Sequence, residues 1–189
     1  MAFATIMMLL DTDGMVFHAI FATTVHELGH ICAMIFKGYK PHEIECRAFD
    51  IKIVDVNRSK TSYKNDIFIL FMGAVFNFLY AAFLFGLYKT LGITEFLKPI
   101  YENIFLGIFN LLPIETLDGG QILYSLLCRR LDVKVAMDIT CMVSFVFLFP
   151  IAVAGFYILM LSKYNFSLLI VSCYLIVVIV VKRFNFINY

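Results

Sequence analysis

His26 and His30 stand four residues apart, and Glu27 directly follows the first of them. On a helix, positions four apart lie one turn above each other on the same face. Both imidazoles can then hold one cation while Glu27 stands beside it, ready to take a proton from an attacking water. The pentad His26-Glu27-Leu28-Gly29-His30 therefore predicts zinc-dependent hydrolysis with Glu27 as general base. Two histidines leave the site one ligand short, because a hydrolytic zinc takes three protein ligands and keeps its fourth position for water. Acidic residues in apolar sequence are costly unless they serve a function, which narrows the search for the third ligand to Glu102, Glu115, Asp118 and Asp138. Asp118 is the best placed. It follows Pro113 at a break in the apolar pattern, and Gly119 and Gly120 after it allow close backbone approach. The same position would suit a helix cap, and capping and ligation are compatible.

The element that must carry the pentad is the apolar run 15–36, long enough to cross about 30 Å of hydrocarbon. Runs at 67–88, 133–161 and, at marginal length, 166–181 are of the same kind. Between them, 100–128 reads as a membrane helix broken at Pro113, with polar groups at the break. Such an arrangement is tolerated where protein or water covers the freed backbone groups. Residues 1–14 read as half a helix and a turn, too short to span. The one long polar segment, 37–66, alternates polar and apolar residues around 42–53 and predicts two or three short strands at the membrane surface. The fold expected is an all-α polytopic membrane protein with about five to six transmembrane helices and a short surface β segment after the pentad helix. It forms a single domain over 1–189, divided as 1–14, 15–36, 37–66, 67–89, 100–128, 133–161 and 166–182.

Composition agrees: 62% of residues are hydrophobic, 21 are Phe and only 15% are charged, with a mean hydropathy of +0.90, which is a membrane-protein profile. A net charge of +1 with no basic run among stacking aromatics excludes a nucleic-acid partner. The five cysteines are scattered without CxxC spacing and predict neither disulfides nor a second metal site. Twelve Lys and Arg fall in 37–66, after Cys128 and after Val181, against three in the opposite segments. The positive-inside rule then places 37–66 and the C-terminus in the cytoplasm, with the histidines about 10 to 16 Å from the cytoplasmic end of their helix.

The pentad, taken with Asn110-Leu111-Leu112-Pro113-Ile114-Glu115-Thr116-Leu117-Asp118-Gly119-Gly120, resembles the site-2 protease family of intramembrane zinc metalloproteases, and most of all its compact sporulation-protease branch. In that family the pentad and an LDG motif some ninety residues later jointly bind zinc; here 88 residues separate His30 from Asp118. The resemblance implies His26, His30 and Asp118 as ligands of one Zn²⁺ per chain and Glu27 as base. Gly73-Ala74-Val75-Phe76-Asn77 resembles the family's helix motif ending in Asn near the active site. Asn77 and Asn110 are thus candidate donors to the substrate backbone or the developing oxyanion, against a plain reading as interhelical hydrogen bonders. Thr116 and Ala74 replace prolines common in relatives, which alters loop stiffness and removes no ligand. The resemblance implies cleavage of a membrane-embedded or membrane-adjacent segment of another protein, a transcription-factor precursor or an anti-sigma factor, in a bacterial cytoplasmic membrane. The alternative is a catalytically silent zinc scaffold that binds helical partners. An intact Glu27 favours the enzyme, since a scaffold needs ligands and no base.

His18 lies two turns before His26 and reads as a packed or water-facing side chain, and His42 as an ordinary surface residue.

Overall fold

A computed structural model describes residues 15–38, 43–47, 50–54, 63–162 and 167–187. The half-helix and turn expected over 1–14 lie outside the described residues, as does His42. The described chain is predominantly helical and forms two compact units, 1–110 and 111–189.

In the first unit, α1 (Met15–Phe36) carries the pentad. Its Thr23 and Thr24 hydroxyls donate to the carbonyls of Ala19 and Ile20, both at 2.9 Å, so these polar side chains are satisfied within the helix. Gly38 ends the helix at a φ of 76°, its N–H donating to the Ile35 carbonyl at 2.9 Å. Strands β1 (Glu43–Arg47) and β2 (Asp50–Val54) follow as an antiparallel pair, in register from Glu43 opposite Val54 to Arg47 opposite Asp50. Helix α2 (Tyr63–Leu91) begins four residues before the apolar run at 67, because polar residues continue the helix past the hydrophobic boundary. A 3₁₀ turn (Thr94–Phe96) leads into α3 (Leu97–Asn110). Helix α2 packs against both α1 and α3, with Ala81, Leu84 and Ile100 forming a small core.

The second unit opens with a loop over 111–117, followed by α4 (Asp118–Leu127), α5 (Val133–Ser162) and α6 (Ser167–Ile187). The helix expected to be broken within 100–128 is thus two helices, α3 and α4. The last helix runs to Ile187, beyond the apolar stretch that suggested it, since Lys182 and Arg183 continue it.

Among the described residues, three helical segments are long and apolar enough to cross a membrane, Phe17–Phe36, Tyr63–Leu91 and Val133–Leu161, and Ile170–Val181 is a shorter apolar segment. Their burial runs opposite to that of a water-soluble protein. On α2 the buried positions are Gly73, Ala74, Asn77, Ala81 and Leu84, one helical stripe of mostly small or polar residues, whereas Leu79 and Phe83 are about 60% exposed. Small residues let helix backbones approach, and apolar side chains face lipid at no cost.

Candidate active site

On α1 the four-residue spacing puts both imidazoles on one face. His26 and His30 are both buried, their rings meet edge-on at 4.7 Å between centroids, and their Nε2 atoms are 3.2 Å apart. Two ring nitrogens so close demand something positive between them, a shared proton or a cation, because two bare lone pairs would repel. His30 is fixed from behind. Its Nδ1 is 2.9 Å from the Ile69 carbonyl oxygen, which can only accept, so Nδ1 carries the proton and the Nε2 of neutral His30 keeps a lone pair. This backing by a carbonyl is the usual support of a metal-binding imidazole, and His30 fits a metal on that ground.

The opposing helix makes room. A Cβ on Gly73 would lie 2.5 Å from His30 Cε1, 2.6 Å from His30 Nε2 and 2.8 Å from His26 Cε1, so the two rings fill the notch this glycine leaves in α2. Gly29 serves the same approach from the other side: a Cβ there would stand 2.5 Å from the Met72 carbonyl oxygen. Asn77, one turn beyond Gly73, is fully buried with its amide nitrogen 3.5 Å from His26 Nδ1. Its Oδ1 is buried and without a hydrogen-bond partner. Glu27 is half-buried on the same helix. Asn110 sits at the end of α3, its amide donating to the Leu106 carbonyl at 3.2 Å. His18 is half-buried and edge-on to Phe17.

In the second unit, Asp118 is the first residue of α4, and Leu117 holds the N-cap position. The carboxylate therefore lies in the first turn, where the helix dipole favours negative charge. Its setting is built by the glycines. Added Cβ atoms would collide with the Leu111 and Leu112 carbonyls at Gly119, and with the Ile114 carbonyl at Gly120. Only hydrogen side chains let the loop fold back over the start of its own helix. The loop is then pinned: the Leu117 N–H donates to the Ile114 carbonyl at 2.8 Å, Ile114 is fully buried, and the Glu115 N–H donates to Ser144 Oγ on α5 at 2.8 Å. The Ser144 hydroxyl in turn donates to the Thr140 carbonyl at 2.7 Å.

Three contributors were missed in the sequence: the notch at Gly73, the Ile69 carbonyl and the Ser144 pin. Gly73 and Asn77 at four-residue spacing, and Thr140 and Ser144 likewise, were legible as small or polar stripes in apolar helices. A backbone carbonyl leaves no trace in sequence.

Residues 90–151 match the model of peptidase family M50. No curated protein gives a significant match. Among solved structures, the chain is similar to a site-2 protease from Methanocaldococcus jannaschii, with a TM-score of 0.67 and 18% identity, covering 92% of this chain and 81% of the other. At that identity the likeness speaks for the fold, and the M50 match covers a third of the chain. The segment 90–151 thus resembles peptidase family M50, and the chain as a whole shares the fold of a site-2 protease.

Proposed function

We propose that this protein is an intramembrane zinc endopeptidase that cuts a membrane-embedded or membrane-adjacent segment of another protein, a transcription-factor precursor or an anti-sigma factor. The observation that carries the reading is the facing Nε2 pair of His26 and His30, 3.2 Å apart on a helix that is itself long and apolar enough to cross a bilayer. From the sequence resemblance we assign His26, His30 and Asp118 as the ligands of one Zn²⁺; two imidazoles and a carboxylate are a common donor set for a hydrolytic zinc. When bound, zinc would polarise the scissile carbonyl and lower the pKa of its water to near neutrality. Glu27 accepts the proton of the attacking water as its oxygen bonds to the carbonyl carbon, then passes that proton to the amine as the C–N bond breaks. Asn77 and Asn110 donate hydrogen bonds to the substrate backbone or the oxyanion.

A helical substrate hides its amides and must unwind to be cut. The β1–β2 hairpin supplies an edge on which an extended segment pairs, at the cytoplasmic membrane surface. The chain works as one functional domain with about five to six membrane segments, in a bacterial cytoplasmic membrane. The active site lies toward the cytoplasm and the C-terminus is cytoplasmic.

The test is co-expression with tagged candidate substrates, comparing the wild type with Glu27→Gln. Loss of the base lowers cleavage by roughly 10²- to 10⁴-fold while zinc stays at one per chain by metal analysis. Zinc binding with no difference in cleavage between wild type and Glu27→Gln on any partner would establish the silent scaffold instead. Asp118→Ala loses the metal; one zinc per chain in that variant, with none in His26→Ala, removes Asp118 from the ligand set.

A further inference from the structure

We infer that Asn77 is a positioning residue that selects the metal-binding tautomer of His26 by turning over its side-chain amide. The inference rests on the zinc reading above and concerns a group that reading uses only as a donor to substrate. Four groups stand in line. The Ile69 carbonyl is 2.9 Å from His30 Nδ1, His30 Nε2 is 3.2 Å from His26 Nε2, and His26 Nδ1 is 3.5 Å from Asn77 Nδ2.

With the Asn77 amide in this orientation, one arrangement of protons satisfies the line. The Ile69 oxygen accepts from Nδ1–H of His30, His30 Nε2 accepts from Nε2–H of His26, and His26 Nδ1 accepts from Nδ2–H of Asn77. It has two consequences. His26 Nε2 carries a proton and offers no lone pair to a cation, and Asn77 Oδ1 is left buried and unpaired.

Rotation of the amide by half a turn exchanges Oδ1 and Nδ2 without changing the space filled. Oδ1 then accepts from an Nδ1–H of His26, so the proton of neutral His26 sits on Nδ1 and Nε2 presents its lone pair, matching His30. The orphaned oxygen gains its partner in the same step. Both ligand imidazoles are then backed alike, His30 by the Ile69 carbonyl and His26 by the Asn77 amide oxygen. The Asn77 NH₂ group takes the buried position that Oδ1 held.

The test is zinc affinity of the purified full chain in detergent, by competition with a chromogenic chelator, for wild type, Asn77→Asp and Asn77→Leu. Asp keeps an acceptor and removes the NH₂ donors; Leu removes both. Zinc affinity is expected to fall roughly 10- to 100-fold in Asn77→Leu and to stay at or above the wild-type level in Asn77→Asp. ¹⁵N spectra of labelled histidine should place the His26 proton on Nδ1 in the zinc-loaded wild type. Equal zinc affinity in wild type and Asn77→Leu overturns the inference, as does a loss in Asn77→Asp as large as that in Asn77→Leu. An Nε2–H signal from His26 in the loaded protein overturns it as well. A wild type that binds no zinc defeats the proposed function itself, which separates the two failures. Should Asn77→Leu fail to fold, the Asp variant and the spectrum decide alone.

Discussion

The smallest side chain near the histidine pair exerts the tightest control over it. Gly73 has nothing to contribute chemically, yet both imidazoles occupy the space where its Cβ would be. Gly73→Ala is expected to push the rings off the 3.2 Å approach of their nitrogens, because the added Cβ is fixed directly to the helix and the ring atoms must move to clear it. Overpacking of this kind costs about 1–3 kcal/mol. The displaced ligands should lower zinc affinity while helix content is retained, measured by chelator competition alongside circular dichroism. Zinc binding equal to wild type in Gly73→Ala would show that the rings have another place to go.

Among the elements, the loop over 111–117 and α4 form a device for holding one carboxylate. Pro113 interrupts the helical pattern, Gly119 and Gly120 admit the returning loop backbone, and Ser144 on α5 accepts the Glu115 N–H. Ser144→Ala removes that acceptor and strands a backbone donor, at a cost of about 1–3 kcal/mol. The expected outcome is a lower thermal unfolding temperature in detergent with reduced proteolysis. Ser144→Thr, which keeps a hydroxyl, should recover more of both than Ser144→Ala. Sequence alone located the break, since Pro113 and the paired glycines are strong local punctuation. The loop's anchor was illegible there because Ser144 is 29 residues away, and no local pattern connects the two.

For the molecule as a whole, the placement of charge and of apolar surface sets orientation and solvent. Leu79 and Phe83 on α2 are exposed while Asn77, on another face of the same helix, is fully buried, an arrangement that suits hydrocarbon and would cause aggregation in water. Twelve cationic residues on one side against three on the other predict a cytoplasmic C-terminus. A C-terminal reporter that functions only in the cytoplasm should therefore be active, and one that functions only outside should be silent. The reverse pattern would refute the orientation and with it the cytoplasmic depth of the histidine pair.

The sequence by itself predicted a zinc chemistry and a membrane setting. The pentad's spacing is a local helical fact, and the long apolar runs declare the membrane through composition alone. The break before Asp118 is local in the same way, written in Pro, Gly and Gly. Only the tertiary structure decided how the histidine pair is supported, through the Gly73 notch, the Ile69 carbonyl behind His30 and the Asn77 amide beside His26. These contacts join residues 39 to 51 positions apart. The physical reason is that helical periodicity tells which residues share a face, whereas the rotation and approach of the opposing helix depend on packing between backbones, which no single segment encodes.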